Sequence, residues 1–170
     1  MATQNTTVET YQTLVRQGDL HAPADQQAVL SLLDQYAARL PGRMQSLPTE
    51  VTDNLIAALQ SQPGCRLFVA ETNQRATGLA VCFDGFSTFR AKPLLNLHDL
   101  TVDPAYQRQG IGDQLLAAVI QFARGGSYCA VTLEVAADNP ARGLYARHGF
   151  QPLTGECSSQ LTLFSKLDLP

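Results

Sequence analysis

Val29, Leu32, Leu33, Tyr36, Ala37 and Leu40 recur at steps of three and four, which lines one face of a helix. Pro23 suits a first helical turn and Pro41-Gly42 stops the run, so the spacing predicts a helix over residues 23 to 40. Val51, Leu55, Ile56 and Leu59 repeat the pattern over Thr49 to Gln60, and Pro63-Gly64 ends it. The period then changes. Cys65 to Glu71 and Thr77 to Phe83 read as strands, joined as a hairpin by the polar Thr72-Asn73-Gln74-Arg75. Asp84 to Pro93 mixes two aromatics, two cations, Gly and Pro, and reads as a loop. Leu94 to Val102 is the next strand, Gly110 to Arg124 a helix stopped by Gly125-Gly126, and Cys129 to Val135 a β-rich strand. Asn139 to Arg147 is a short helix, and Gly149 to Leu153 and Gln160 to Ser165 are closing strands. With Tyr11 to Val15 counted first, the order is strand, two helices, three strands, helix, strand, helix, two strands. Such an order excludes a simple doubly wound sheet and predicts a single-domain α/β protein whose sheet is mixed and mostly antiparallel.

Composition narrows the setting. At 170 residues the chain suits one core, and no window approaches the roughly 18 apolar residues of a membrane span. Residues 1 to 7 are polar and lack the basic and apolar regions of a signal peptide, so they read as a frayed start before a domain over residues 8 to 170. A cytoplasmic location is the expectation. Twelve Lys plus Arg against 15 Asp plus Glu, a formal charge of -3, argues against nucleic acid as a partner. Cys65, Cys82, Cys129 and Cys157 are widely spaced, with no C-x-x-C pair or His at ligand spacing. They read as reduced, packed thiols and not as a zinc site.

The chemistry concentrates in one stretch. Leu97-His98-Asp99-Leu100-Thr101-Val102 reads as a strand that feeds Gln107-Arg108-Gln109-Gly110-Ile111-Gly112 and then, from Asp113, an apolar helical run. Backbone N–H groups in such a turn point one way, with the positive end of the helix dipole behind them, which suits a phosphate. Gly110 and Gly112 let the backbone approach a ligand closely. No Gly-Lys-Ser/Thr follows, and a single Gly-x-Gly falls short of Gly-x-Gly-x-x-Gly, so neither a Walker loop nor a Rossmann fingerprint fits. An ordinary strand–turn–helix joint is the plain alternative.

At these residues the chain resembles the GNAT superfamily of N-acetyltransferases, whose Gln/Arg-x-x-Gly-x-Gly/Ala signature is matched by Gln107, Gly110 and Gly112. The resemblance spans roughly residues 65 to 155, and Asp138 to Phe150 looks like the superfamily's second signature, in the expected order. It implies a sheet of six to seven strands flanked by about four helices, splayed between the strand ending at Val102 and the strand Cys129 to Val135. It also implies acetyl transfer from acetyl-CoA to a primary amine by direct attack in a ternary complex. Leu100 to Val102 would pair with the pantetheine arm, and the N–H of Leu100 would polarise the thioester carbonyl. Amides of Arg108, Gln109, Gly110, Ile111, Gly112 and Asp113 would hold the pyrophosphate. A homodimer is compatible, with the C-terminal strands pairing across it.

Two proton transfers remain. An alkyl ammonium is almost entirely protonated at pH 7 and only the neutral amine attacks, while the departing thiolate needs a proton. The resemblance makes Tyr145 the proton donor; packing at a helix end is its plainer role. Within the superfamily, Phe86 to Leu100 resembles most the diamine and spermidine acetyltransferase group, whose Leu-Glu-Asp supplies the base. Here the glutamate position holds His98, followed by Asp99. An imidazole accepts a proton at neutral pH but offers no permanent charge to a polycation. Strand alternation sets His98 and Asp99 on opposite faces unless a bulge intervenes. Glu134 is a further candidate for assisting the base. Asn139 and Asp138 precede Tyr145 by six and seven residues, where the common pattern has Asn at seven. Asn139 is therefore either a cofactor contact or the cap of its helix. His98 also leaves open a non-catalytic acyl-CoA-binding module on the same fold.

Overall fold

A computed structural model of the chain describes residues 12–40, 45–152 and 162–169. Its elements follow the expected order: β1 (Thr13–Gln17), α1 (Pro23–Ala37), α2 (Thr49–Gln60), β2 (Cys65–Thr72), β3 (Arg75–Ser87), β4 (Lys92–Val102), α3 (Ile111–Gly125), β5 (Ala130–Ala136), α4 (Arg142–Arg147), β6 (Gln151–Pro152) and β7 (Thr162–Asp168). One mixed seven-stranded sheet runs β1-β2-β3-β4-β5-β7-β6. Every neighbouring pair is antiparallel except β4 and β5.

Alternation in β2 and β3 divides the core between the two sheet faces. Leu67, Val69, Leu79 and Val81 pack on one face against Ala28, Val29 and Leu32 of α1 and Leu59 of α2. Phe68, Ala70, Ala80 and Cys82 pack on the other against Ile111, Leu115, Leu116 and Val119 of α3. Gly78 sets how closely α3 approaches, since a Cβ there would lie 2.9 Å from Leu115 Cδ1 and 3.0 Å from Ile111 Cγ2. The β2–β3 turn carries positive φ at Asn73 (52°) and Gln74 (62°), the conformation that matches the twist of a two-residue hairpin.

Several expectations are corrected. Residues Asp84 to Pro93 are not an irregular loop: β3 runs on to Ser87 and β4 begins at Lys92, in register from Asp84↔Leu95 to Ser87↔Lys92. The ladder and the docking of the tip hold this arm extended, with Arg90 paired to Asp168 Oδ1 at 2.7 Å and donating to the Cys129 carbonyl. Helix α1 ends at Ala37, three residues short of Leu40, and α4 begins at Arg142 because residues 139–141 form a turn held by a side chain. Cys65, Cys82 and Cys129 are free thiols. Tyr11, Leu153, Cys157 and the start of the expected last strand lie outside the described residues.

Two irregularities of β4 prepare the site. Its parallel pairing with β5 covers only Leu95–Leu97 opposite Val131–Leu133, so from His98 onward β4 has no strand neighbour on that side among the described residues. The register against β3 also shifts. Val81 faces Asp99 and Cys82 faces Leu97, which leaves His98 as the extra residue of a β-bulge.

Candidate active site

The joint from β4 to α3 is built by local capping. Asp103 Oδ1 accepts from the Ala105 N–H at 2.9 Å, with Pro104 in the turn it opens. Its other oxygen takes Arg75 Nη2 at 3.1 Å, and the Arg75 guanidinium sits over the Tyr106 ring, 5.8 Å from its centroid. Gln107 Nε2 donates to the Val102 carbonyl at 3.1 Å, which folds the turn back on β4. Arg108 (φ 64°) and Gly110 (φ 79°) then adopt left-handed backbone, glycine without strain and arginine at a cost. As a result six consecutive N–H groups, Arg108 to Asp113, donate to no acceptor among the described residues.

All of these residues but Gln109 line a cleft of about 530 Å³ that runs between the free edge of β4 and α4. Leu100, Val102, Gln107, Arg108, Gly110, Ile111, Gly112, Asp113 and Tyr145 all border it. Gln109 and Asn139 do not. Gln109 Nε2 turns back to the Ala105 carbonyl at 3.4 Å, and Asn139 Oδ1 accepts from the Ala141 N–H at 2.8 Å, the capping arrangement. A Cβ at Gly112 would come no nearer than 3.5 Å to Leu144, so the fold itself tolerates one and only an occupant of the cleft would not. Asp113 places a carboxylate in the first turn of α3, held by Arg147 Nη2 at 3.1 Å and facing His148 Nε2 at 3.3 Å. Motif spacing does not reveal that pair, because Arg147 and His148 arrive from α4.

The far end of the cleft is where the bulge acts. Asp99 faces Val81, and His98 meets the Phe83 ring edge-on at 5.4 Å; both contacts lie on the α1 and α2 side of the sheet. His98 and Asp99 therefore share one face. The apolar pattern carries a trace of this: Leu95 and Leu97 alternate in one phase and Leu100 and Val102 in the other. Burial pushes the Asp99 carboxyl above its ordinary range, with the nearby His98 acting in the opposite sense. Tyr36 on α1 stands close enough to Asp99 and to Tyr145 for its titration to couple to both, so α1 closes this end. Tyr145 packs its ring against Phe150, 5.9 Å between centroids, and its phenol is pushed up to about 12, first by burial and then by Tyr36. Among the described residues, none of Tyr36, His98, Asp99 or Tyr145 spends its polar side-chain atoms on a protein hydrogen bond. Glu134 and Asp138 are exposed, and Phe86 and Phe89 project into solvent from the β3–β4 arm.

Residues 30–150 match the model of the acetyltransferase (GNAT) family. The N-alpha-acetyltransferase RimI of Mycobacterium tuberculosis is 44% identical over 80 residues, 45% of this chain and 49% of that protein. The chain spans about half the length of the curated relatives it matches. YncA of Salmonella typhimurium, solved with its cofactor acetyl-CoA, superposes with a TM-score of 0.69 at 24% identity over 93% of this chain and 94% of that one. An aminoglycoside acetyltransferase from an uncultured soil metagenomic sample, solved with sisomicin, gives 0.68 at 23% identity over 87% and 93%. No described helix is long and apolar enough to cross a membrane. With the sheet splayed beside β4 and a turn of unused backbone N–H groups at its end, the chain belongs to the GNAT family of acetyltransferases, whose cosubstrate is acetyl-CoA.

Proposed function

We propose that the protein is an N-acetyltransferase that moves the acetyl group of acetyl-CoA to a primary amine by direct attack in a ternary complex. The observation that carries this reading is the cleft that joins a turn of unused backbone N–H groups, five of its six residues lining it, to Tyr145. Arg108 to Asp113 hold the pyrophosphate there, with Gln107 bracing the turn. The unpaired edge of β4 from Leu100 to Val102 receives the pantetheine arm as an added strand, and the Leu100 N–H polarises the thioester carbonyl. Bound acetyl-CoA supplies an activated acyl group, and holding it beside the amine supplies much of the rate. His98 takes the proton that the attacking ammonium must lose. Tyr145, protonated across the neutral range, gives one to the leaving sulfur. Asn139 serves as the turn's cap.

The acceptor is a small primary amine. A peptide α-amine is the second reading, supported by the 44% identity to an N-alpha-acetyltransferase over 80 residues. Release of free thiol from acetyl-CoA across a panel of small amines and peptides tests both, and calorimetry with CoA tests the cleft by itself. Gly112→Ala is expected to weaken CoA by tenfold or more while leaving the fold intact, because its Cβ enters space that only a ligand needs. CoA binding without thiol release on any amine identifies an acyl-CoA-binding module instead. Absence of CoA binding at millimolar concentration overturns the proposal.

A further inference from the structure

Beside the Leu100 and Tyr145 end of the cleft, two opposite charges do not meet. Arg39, two residues past the end of α1, donates Nε to the Gln35 carbonyl at 2.9 Å, and its Nη2 reaches β4 at Thr101 Oγ1 (3.4 Å) and the Val102 carbonyl (3.5 Å). Thr101 faces Leu79 as Asp99 faces Val81, so the two side chains stand on the same face of β4, about 7 Å apart along the strand. Tyr36, one helical turn before Arg39, lies between them and feels both charges. Yet Arg39 forms no ion pair with Asp99 or with any other carboxylate among the described residues. Arg16, Arg66, Arg75, Arg90 and Arg147 each reach a carboxylate at 3.1 Å or less, whereas Arg39, like Arg108, Arg124 and Arg142, reaches none among the described residues. Asp99 is half-buried and Arg39 is exposed beside it, so a carboxylate and a guanidinium stand on one face of β4 without spending themselves on each other.

We infer that this wall recognises a small zwitterion, a free α-amino acid or a close analogue, with the ammonium toward Asp99 and His98 and the carboxylate toward Arg39. The inference rests on the acetyltransferase reading above and narrows its acceptor. An ammonium can donate to the Asp99 carboxylate and a carboxylate can accept from the Arg39 guanidinium on that one face, each through a charge-assisted hydrogen bond of about 2.8 Å. The guanidinium gives a planar fork for a carboxylate. A diamine fits less well, since its second ammonium would meet Arg39. A peptide N-terminus lacks the adjacent carboxylate and would leave that fork unpaired. His98 then faces the amine that Asp99 holds, and Tyr145 closes the other side.

The test is a matched panel. Thiol release from acetyl-CoA is measured for the full chain with the protein amino acids, the carboxamide of each, a diamine and a tetrapeptide with a free N-terminus. At least one amino acid is expected to exceed its own carboxamide by tenfold or more in kcat/KM, and to exceed the diamine and the peptide. Arg39→Gln should pull the acid-to-amide ratio toward one, mainly through KM for the acid, and Arg39→Lys should restore part of it. A carboxamide, diamine or peptide that matches or beats every amino acid overturns the zwitterion assignment and leaves the acetyltransferase reading standing. No thiol release with any amine overturns the acetyltransferase reading itself. The wild-type panel decides the point without any variant.

Discussion

Helix α1 has a shielded carboxylate near each end, and the two are treated in opposite ways. At its start Asp25 is 2% exposed and fully satisfied: Arg16 Nη1 and Nη2 reach its two oxygens at 2.8 and 2.6 Å, and the Asp19 N–H donates at 2.7 Å. Arg16 also holds Glu71 on β2, so one guanidinium ties the edge strand, the helix and the sheet together. At its other end α1 overlies Asp99, which is half-buried with no hydrogen-bond partner among the described residues. A shielded charge with partners specifies the fold, whereas one without them costs stability and waits for a partner from outside. The first carboxylate belongs to folding, and the second is the one proposed above to meet the acceptor.

Asp25→Ala should break the structural side most severely. It strands the Arg16 guanidinium beside Glu71 and removes a buried acceptor, for an expected loss of roughly 2–3 kcal/mol, discounted because Arg16 is itself partly exposed. Urea unfolding reads this directly, and kcat at a temperature where the variant is folded should stay near that of the wild type. Arg16 holds the Asp25 carboxyl below its ordinary value of 3.8. A depressed carboxyl stabilises above the unfolded value and loses that contribution as pH falls through the folded one, so the gap between variant and wild type should close below pH 3.8. A gap that persists in acid would mean that the damage is packing and not charge.

Removing one atom at the catalytic end should leave stability alone. Tyr145→Phe keeps the ring against Phe150 and deletes a hydroxyl that no described residue uses. Turnover should fall tenfold or more, about 1.4 kcal/mol of barrier, with CoA affinity and Tm unchanged. An unchanged kcat would make Tyr145 a packing residue and move the proton donor elsewhere.

Much of the fold is legible in the chain because its periods are clean. Steps of three and four mark α1, α2 and α3, and strand alternation marks most of the sheet. The β3–β4 arm escapes such reading because Gly85, Pro93 and its charges look like punctuation. What holds them in strands is remote: Arg90 on Asp168, and Asp84 accepting from Tyr128 at 2.6 Å. The cofactor turn is legible because its chemistry is carried by backbone and glycine in a short span. The acceptor wall is not, since Tyr36, Arg39 and Asp99 meet only after α1 folds over β4. Tyr36 reads in the sequence as one more apolar position of a helix, and nothing local says that it stands near Asp99 and Tyr145.

Asp99→Asn gives the smallest effect and the sharpest contrast, because its two consequences have opposite signs. An amide of the same shape removes a shielded charge that lacks a partner, so the variant should be more stable than wild type by about 1 kcal/mol at pH 7, while kcat/KM for the acceptor falls. The pH dependence must also run opposite to that of Asp25. Burial raises the Asp99 carboxyl, so wild type keeps this contribution to stability below the unfolded carboxylate value and loses it as pH rises through the folded one. The advantage of the amide should therefore grow from pH 4 toward pH 7, in urea midpoints taken beside those of Asp25→Ala. A variant less stable at pH 7 would show that Asp99 has a structural partner in the fold, and the division between the two ends of α1 would fail. A variant that is more stable and equally active would keep the division of charges but remove Asp99 from the acceptor site.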